Sequence, residues 1–151
     1  QGINTFDTCD VLLDFQIGIN TPVREVTSVR GPHLDNKKSL YTALCYLKDV
    51  DDNTNSGHFT VYKLKKLKLL TLGSSRSVSL SDVIKYKEIK YKSNRVATFL
   101  NTKKSIHGVS PREQTNKVRK FFTFNALFRE DLYKTPLSSR VVSRIKKIIS
   151  N

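Results

Sequence analysis

The chain has no methionine and no tryptophan, and holds only two cysteines, four prolines and six glycines in 151 residues. So little Gly and Pro excludes collagen-like and linker-like chains. Two cysteines admit one disulfide but no disulfide framework. Cys45 lies in the apolar run Leu44-Cys45-Tyr46-Leu47 and reads as a small buried hydrophobe, which fits a reducing, cytoplasmic setting. No apolar run approaches the ~20 residues that span a bilayer, and the N-terminus lacks a basic-then-apolar signal pattern. A chain without methionine even at position 1 reads as a processed or trimmed piece.

Apolar residues make up 38% and aromatics 9%, which supports a buried core and excludes a disordered tail. The length suits one domain over 1–151. Acidic charge is scarce in the later part. Residues 1–60 hold 5 basic and 8 acidic side chains, whereas residues 61–151 hold 22 basic and 5 acidic, net +17. Such a field attracts polyanions and anionic small molecules, although a Lys-, Asn- and Ile-rich composition also arises with no partner at all.

Most of the chain reads as short strands: 10–19, 23–30, 39–47, 59–62, 83–91, 96–100, 105–109 and 118–128. Asp49 to Gly57 is a turn or loop by composition, and Gly73 to Asp82 a Ser-rich mobile loop. Short strands joined by turns suggest a sandwich, a jelly roll or a barrel. The end differs. Val141, Val142, Ile145, Ile148 and Ile149 recur at helical spacing, so 136–149 is expected to form a helix packed on the sheet.

There are three histidines, His33, His58 and His107. Asp35 follows His33 by two positions, and on an extended segment i and i+2 share a side. An imidazole and a carboxylate can then reach one metal ion. The pattern alone is common by chance. His107 lies at a predicted strand, in Ser105-Ile106-His107-Gly108-Val109. Two histidines and one carboxylate on one face of a metal are the donor set of non-haem Fe(II) oxygenases. His58, beside Gly57, reads as an exposed turn histidine.

The order of several motifs then resembles a family. Gly31-Pro32-His33-Leu34-Asp35-Asn36, Leu44-Cys45-Tyr46-Leu47-Lys48-Asp49, Gly57, Asn94-Arg95-Val96-Ala97-Thr98-Phe99-Leu100-Asn101 and His107-Gly108-Val109 are similar to the 2-oxoglutarate- and Fe(II)-dependent oxygenases, on the prolyl-hydroxylase-like branch. The resemblance covers roughly residues 10–128. It implies a mainly β chain folded as a double-stranded β-helix (jelly roll), with the C-terminal helix beyond it. It implies His33, Asp35 and His107 as the iron ligands. It places Arg119, 12 residues after His107, on the far carboxylate of 2-oxoglutarate. An arginine suits that task because its planar fork meets a carboxylate with two parallel hydrogen bonds. Arg112 falls too close to His107, and Lys120 faces the other way on a strand. Thr123 has the parity of Arg119 and is expected in the same pocket. Tyr46 matches a position where such members place a hydroxyl on that carboxylate; ordinary core packing is the other reading. Asn36 reads either as an orienting partner of Asp35 or as a turn former.

The implied activity is hydroxylation using Fe(II), 2-oxoglutarate and O₂, with Asp35 favouring hydroxylation over halogenation. The substrate, a small molecule or a peptide side chain, is not legible, but the basic surface suits an anionic one. Members commonly carry helices ahead of the barrel. Only a strand-like stretch precedes His33, so the chain is expected to be a minimal member or to lack its helical part. Two other classes compete. A non-enzymatic basic β-sandwich or jelly-roll module would bind nucleic acid or another polyanion, with Tyr86 and Tyr91 among Lys85, Lys87, Lys90 and Lys92 as stacking residues. A cupin-type metal barrel would ordinarily need more histidines.

Overall fold

Among the described residues, β-branched and aromatic runs punctuated by turn residues fold into seven strands and one 3₁₀ turn. The computed structural model describes residues 10–65 and 77–133. The strands are β1 (Val11–Asn20), β2 (Ser39–Tyr46), β3 (Phe59–Leu64), β4 (Val83–Ile89), β5 (Arg95–Leu100), β6 (His107–Val109) and β7 (Arg119–Phe128). Among the described residues there is no α-helix. The helix expected over 136–149, Cys9 and the first part of the 73–82 loop lie outside them.

Two antiparallel sheets result, one ordered β1-β7-β2-β5 and the other β4-β3-β6. Apart from β3 and β4, consecutive strands are not sheet neighbours: the first described strand pairs with the last, from Val11 opposite Phe128 to Asn20 opposite Arg119. β2 runs between β7 and β5, as its apolar character predicts. Leu44 and Tyr46 of β2, Ala97 of β5, Phe59 of β3 and Tyr91 form one buried cluster that ties the sheets together. β4, with Lys85 and Lys87, lies at a sheet edge, where lysines oppose further pairing.

Residues 23–30 correct one expectation. They form no strand, only isolated bridges from Val23 to Thr115 and from Thr27 to Arg112. The reason is burial. Val26 and Val29 remain 69% and 42% exposed, so the β-branched run has no apolar face to bury.

β1 teaches the opposite lesson. Its alternation is clear, but the apolar set faces out: Leu13 is 78% and Ile17 72% exposed. Asp14, Gln16, Gly18 and Asn20 alternate to the other face, where Gln16, Gly18 and Asn20 line the cavity between the sheets. Among the described residues no helix is long and apolar enough to cross a membrane.

Candidate metal centre and anion site

His33 and His107 are brought together by backbone pairing. His33 N donates to His107 O at 2.8 Å, and His107 N donates to His33 O at 3.0 Å. Residues opposed in an antiparallel pair project to the same face, and the two rings lie 4.3 Å apart between centroids. The next residue with the same parity as His33 is Asp35. The ligand atoms of His33, Asp35 and His107 all fall within 4.8 Å of one another.

The protons in this cluster are fixed by the outer contacts. His33 Nδ1 donates to Gly31 O, and His107 Nδ1 donates to Ser105 O, each at 2.9 Å. A carbonyl can only accept, so each Nδ1 carries the hydrogen and each Nε2 offers a lone pair. Both Nε2 atoms face Asp35 Oδ1, at 3.6 and 3.5 Å. That exceeds the ~3 Å of a formed N–H···O bond. Three ligand atoms thus converge within 4.8 Å of one another. A divalent ion with bonds of about 2.1 Å fills such a gap.

Burial alone would raise the Asp35 carboxyl, but the His107 and His33 imidazoles and the Thr42 hydroxyl beside it hold it well below the usual carboxylate range. It is an anion at any physiological pH. Phe59 stacks on His107 at 5.3 Å, and Phe99 packs on it at 4.5 Å, fixing the ring.

Asp35 is braced by a residue the sequence did not single out. Thr42 Oγ1 lies 3.0 Å from Asp35 Oδ2, and Asn101 Nδ2 donates to Thr42 at 3.0 Å. Thr42 also contacts Asn125 Oδ1 at 3.1 Å, and Asn125 Nδ2 donates to Asp14. Of the two readings of Asn36, its contacts are those of the turn former: its side chain accepts from Lys38 N and its carbonyl from Ser39 N.

The triad opens on a cavity of about 380 Å³ between the sheets, lined by Leu44, Phe59, Arg119, Thr123 and Asn125 among others. Thr123 therefore shares the pocket with Arg119, as strand parity predicts. Arg119 is 3% exposed. Nη1 donates to Asn20 Oδ1 at 3.0 Å, but Nε and Nη2 have no partner. Tyr46, Tyr91 and Phe121 stand around the guanidinium at 4.9, 5.1 and 4.9 Å. Burial pulls the arginine below its ordinary value, although it stays charged. Tyr46 is not among the residues that line the cavity; its buried hydroxyl makes no formed hydrogen bond, although the Arg119 guanidinium beside it interacts with it. Burial pushes it up to about 12, so it is a proton donor in waiting.

Arg112 shows what a structural arginine looks like here. It is 4% exposed, and its guanidinium donates to Thr21 O at 2.6 Å and Lys117 O at 3.0 Å. Gly57, at φ 68°, makes room for it: a Cβ there would meet Arg112 Cγ at 2.9 Å.

Three further expectations are corrected. His58 is buried, not an exposed turn residue; its Nδ1 accepts from Tyr91 N at 3.1 Å, and burial lowers its pKa. It is a satisfied core histidine. Tyr91 is 4% exposed and belongs to the aromatic wall around Arg119, not to a stacking surface. Cys45 is a free thiol and only half-buried.

No family model matches the chain, and no curated protein matches it. Among solved structures, it is similar to a prolyl 4-hydroxylase from Phytophthora capsici, at 16% identity and a TM-score of 0.43 over 92% of this chain. The chain spans 41% of that protein's length.

Proposed function

We propose that this chain is an Fe(II)- and 2-oxoglutarate-dependent dioxygenase that hydroxylates a C–H bond. The observation that carries it is the pairing, in one cavity, of a convergent three-donor geometry with the buried Arg119, whose Nε and Nη2 have no hydrogen-bond partner and whose guanidinium stands 4.9 Å from the Tyr46 ring. An unpaired buried charge costs on the order of several kcal/mol, which a folded chain tolerates where a counter-ion belongs. The strand orders β1-β7-β2-β5 and β4-β3-β6 support a single jelly-roll domain, since each sheet interleaves strands distant in sequence. The free Cys45 thiol suits a reducing, cytoplasmic compartment.

His33, Asp35 and His107 would hold Fe(II), which with 2-oxoglutarate supplies the oxidation of a C–H bond by O₂ coupled to decarboxylation to succinate. The chain's own residues bind and orient. Gly31 and Ser105 carbonyls keep both Nε2 lone pairs aimed inward. Arg119 offers the Nε and Nη2 edge of its fork, and Tyr46 a hydroxyl, to the distal carboxylate. Thr123 lines the path between. Leu44, Phe59 and Phe99 keep the cavity wall apolar and limit water.

The non-enzymatic polyanion reading loses one of its two stacking residues, because Tyr91 is buried.

The test is a thermal-shift titration with Mn(II), with and without 2-oxoglutarate. At a hundredfold excess over Kd each ligand stabilises by about 2.7 kcal/mol, or roughly 5–10 °C for a chain of this size. His107→Ala is expected to abolish the Mn(II) shift and the added 2-oxoglutarate shift. Absence of both shifts in the unsubstituted protein overturns the reading.

A further inference from the structure

The cavity holds a second arginine. Arg30 lines it as Arg119 does, but Arg30 is exposed and so stands at the mouth. Among the described residues its side chain has no hydrogen bond or ion pair. Asp35 is the one acidic side chain in the lining, and it faces both imidazoles. The mouth therefore presents a free guanidinium with no internal carboxylate to neutralise it.

Its root is fixed against the triad. Val109 N donates to Arg30 O at 2.9 Å, two residues beyond His107. Gly108 allows this approach: a Cβ there would meet Gly31 O at 2.8 Å and Arg30 O at 3.0 Å. Gly31 O in turn holds His33 Nδ1. The stretch that carries the guanidinium is thus the stretch that orients one metal-ligating imidazole and abuts the strand of the other. A ligand group held by Arg30 has a defined position relative to the triad, and only the arginine's own rotamers remain to be ordered.

We propose that Arg30 is a specificity-determining residue and that the substrate carries an oxyanion, a phosphate or a carboxylate, bound by this guanidinium at the cavity mouth. The inference rests on the dioxygenase reading, in which Arg119 is occupied by 2-oxoglutarate and leaves Arg30 for the substrate. The guanidinium fork suits either oxyanion. The net +17 carried by residues 61–151 raises the local concentration of such a ligand.

Mn(II) at the triad is a paramagnetic probe for anything bound nearby. The experiment loads the protein with substoichiometric Mn(II) and saturating 2-oxoglutarate, then titrates inorganic phosphate, read by phosphorus NMR relaxation, and trifluoroacetate, read by fluorine relaxation. A saturable enhancement for at least one anion is expected. Enhancement for phosphate alone indicates a phosphate ester; enhancement for trifluoroacetate indicates a carboxylate. Arg30→Gln is expected to weaken the effect about 10- to 100-fold, and Arg30→Lys, which keeps charge but not the fork, to fall between. Equal enhancement in Arg30→Gln, or none for either anion, overturns the proposal. The Mn(II) and 2-oxoglutarate thermal shifts, measured on the same samples, separate the two failures: shifts without an Arg30 effect sink this inference alone, and no shifts sink the dioxygenase reading beneath it.

Discussion

The two ends of the cavity are short of opposite things. At the triad, two imidazole nitrogens and a carboxylate oxygen converge on one point at distances too long for hydrogen bonds between them. At the other end, two N–H groups of Arg119 have no acceptor. Arg112 makes the contrast sharp, because it is equally buried and has backbone carbonyls to donate to. A core built only for stability satisfies its buried polar groups. Opposite deficits at the two ends of one cavity instead describe a cation and an anion, side by side.

The comparison breaks if the ends are not independent. Arg119→Gln removes the anion end's charge and leaves the triad intact. Losing one partner of a buried charged pair costs about 2–4 kcal/mol, so 2-oxoglutarate affinity in the Mn(II)-loaded protein is expected to fall roughly 30- to 1000-fold. Mn(II) affinity, measured by calorimetry on the same variant, stays put. An equal loss of Mn(II) binding would show that the two ends are one structural unit. Arg112→Gln is the foil: it lowers the melting temperature, and the folded protein keeps its 2-oxoglutarate affinity.

Thr42→Val sharpens the metal end. Valine keeps the shape and deletes the hydroxyl that braces Asp35 Oδ2. Partners of metal ligands are typically worth 10- to 100-fold in metal affinity, and a loss of that size in Mn(II) binding is expected. A variant that binds Mn(II) as the parent does would assign the Thr42, Asn101 and Asn125 cluster to the core alone.

What the sequence made legible was local. Most strand positions followed from short β-rich runs; a two-residue spacing and a strand-borne histidine made the three triad residues candidates, and the family resemblance implied them as ligands. Arg119 was implied by the family resemblance, and Thr123 followed from its parity with Arg119 on the predicted strand. What depended on long-range pairing was not legible. Alternation along β1 separates Leu13, Phe15 and Ile17 from Asp14, Gln16 and Asn20, but it does not say which set faces the other sheet. The polar set does, because it meets Arg119 and Asn125 of β7. His58 looked exposed beside a glycine, and only the approach of Tyr91 N buries and satisfies it. Asn36 sits next to Asp35 in sequence, yet the bracing hydroxyl comes from Thr42, seven residues on. Even positions on β2 already grouped Thr42 with Leu44 and Tyr46, so parity held the clue while adjacency misled.

The smallest effect is the most discriminating. Tyr46 is fully buried, with its ring edge-on to Tyr91 at 5.1 Å and its hydroxyl without a formed hydrogen bond. If that hydroxyl exists to meet a carboxylate, Tyr46→Phe should cost 2-oxoglutarate about 0.5–1.5 kcal/mol, or roughly threefold to tenfold in Kd. The ligand-free protein should not suffer. Phenylalanine keeps the ring packing and removes a desolvated polar group that makes no formed hydrogen bond, so its melting temperature is expected to match or exceed the parent's. A structural tyrosine predicts the reverse, with a lower melting temperature and unchanged Kd. The two signs are opposite, so one calorimetric titration and one melting curve on a single variant decide whether the anion end is a binding site or merely a tightly packed corner.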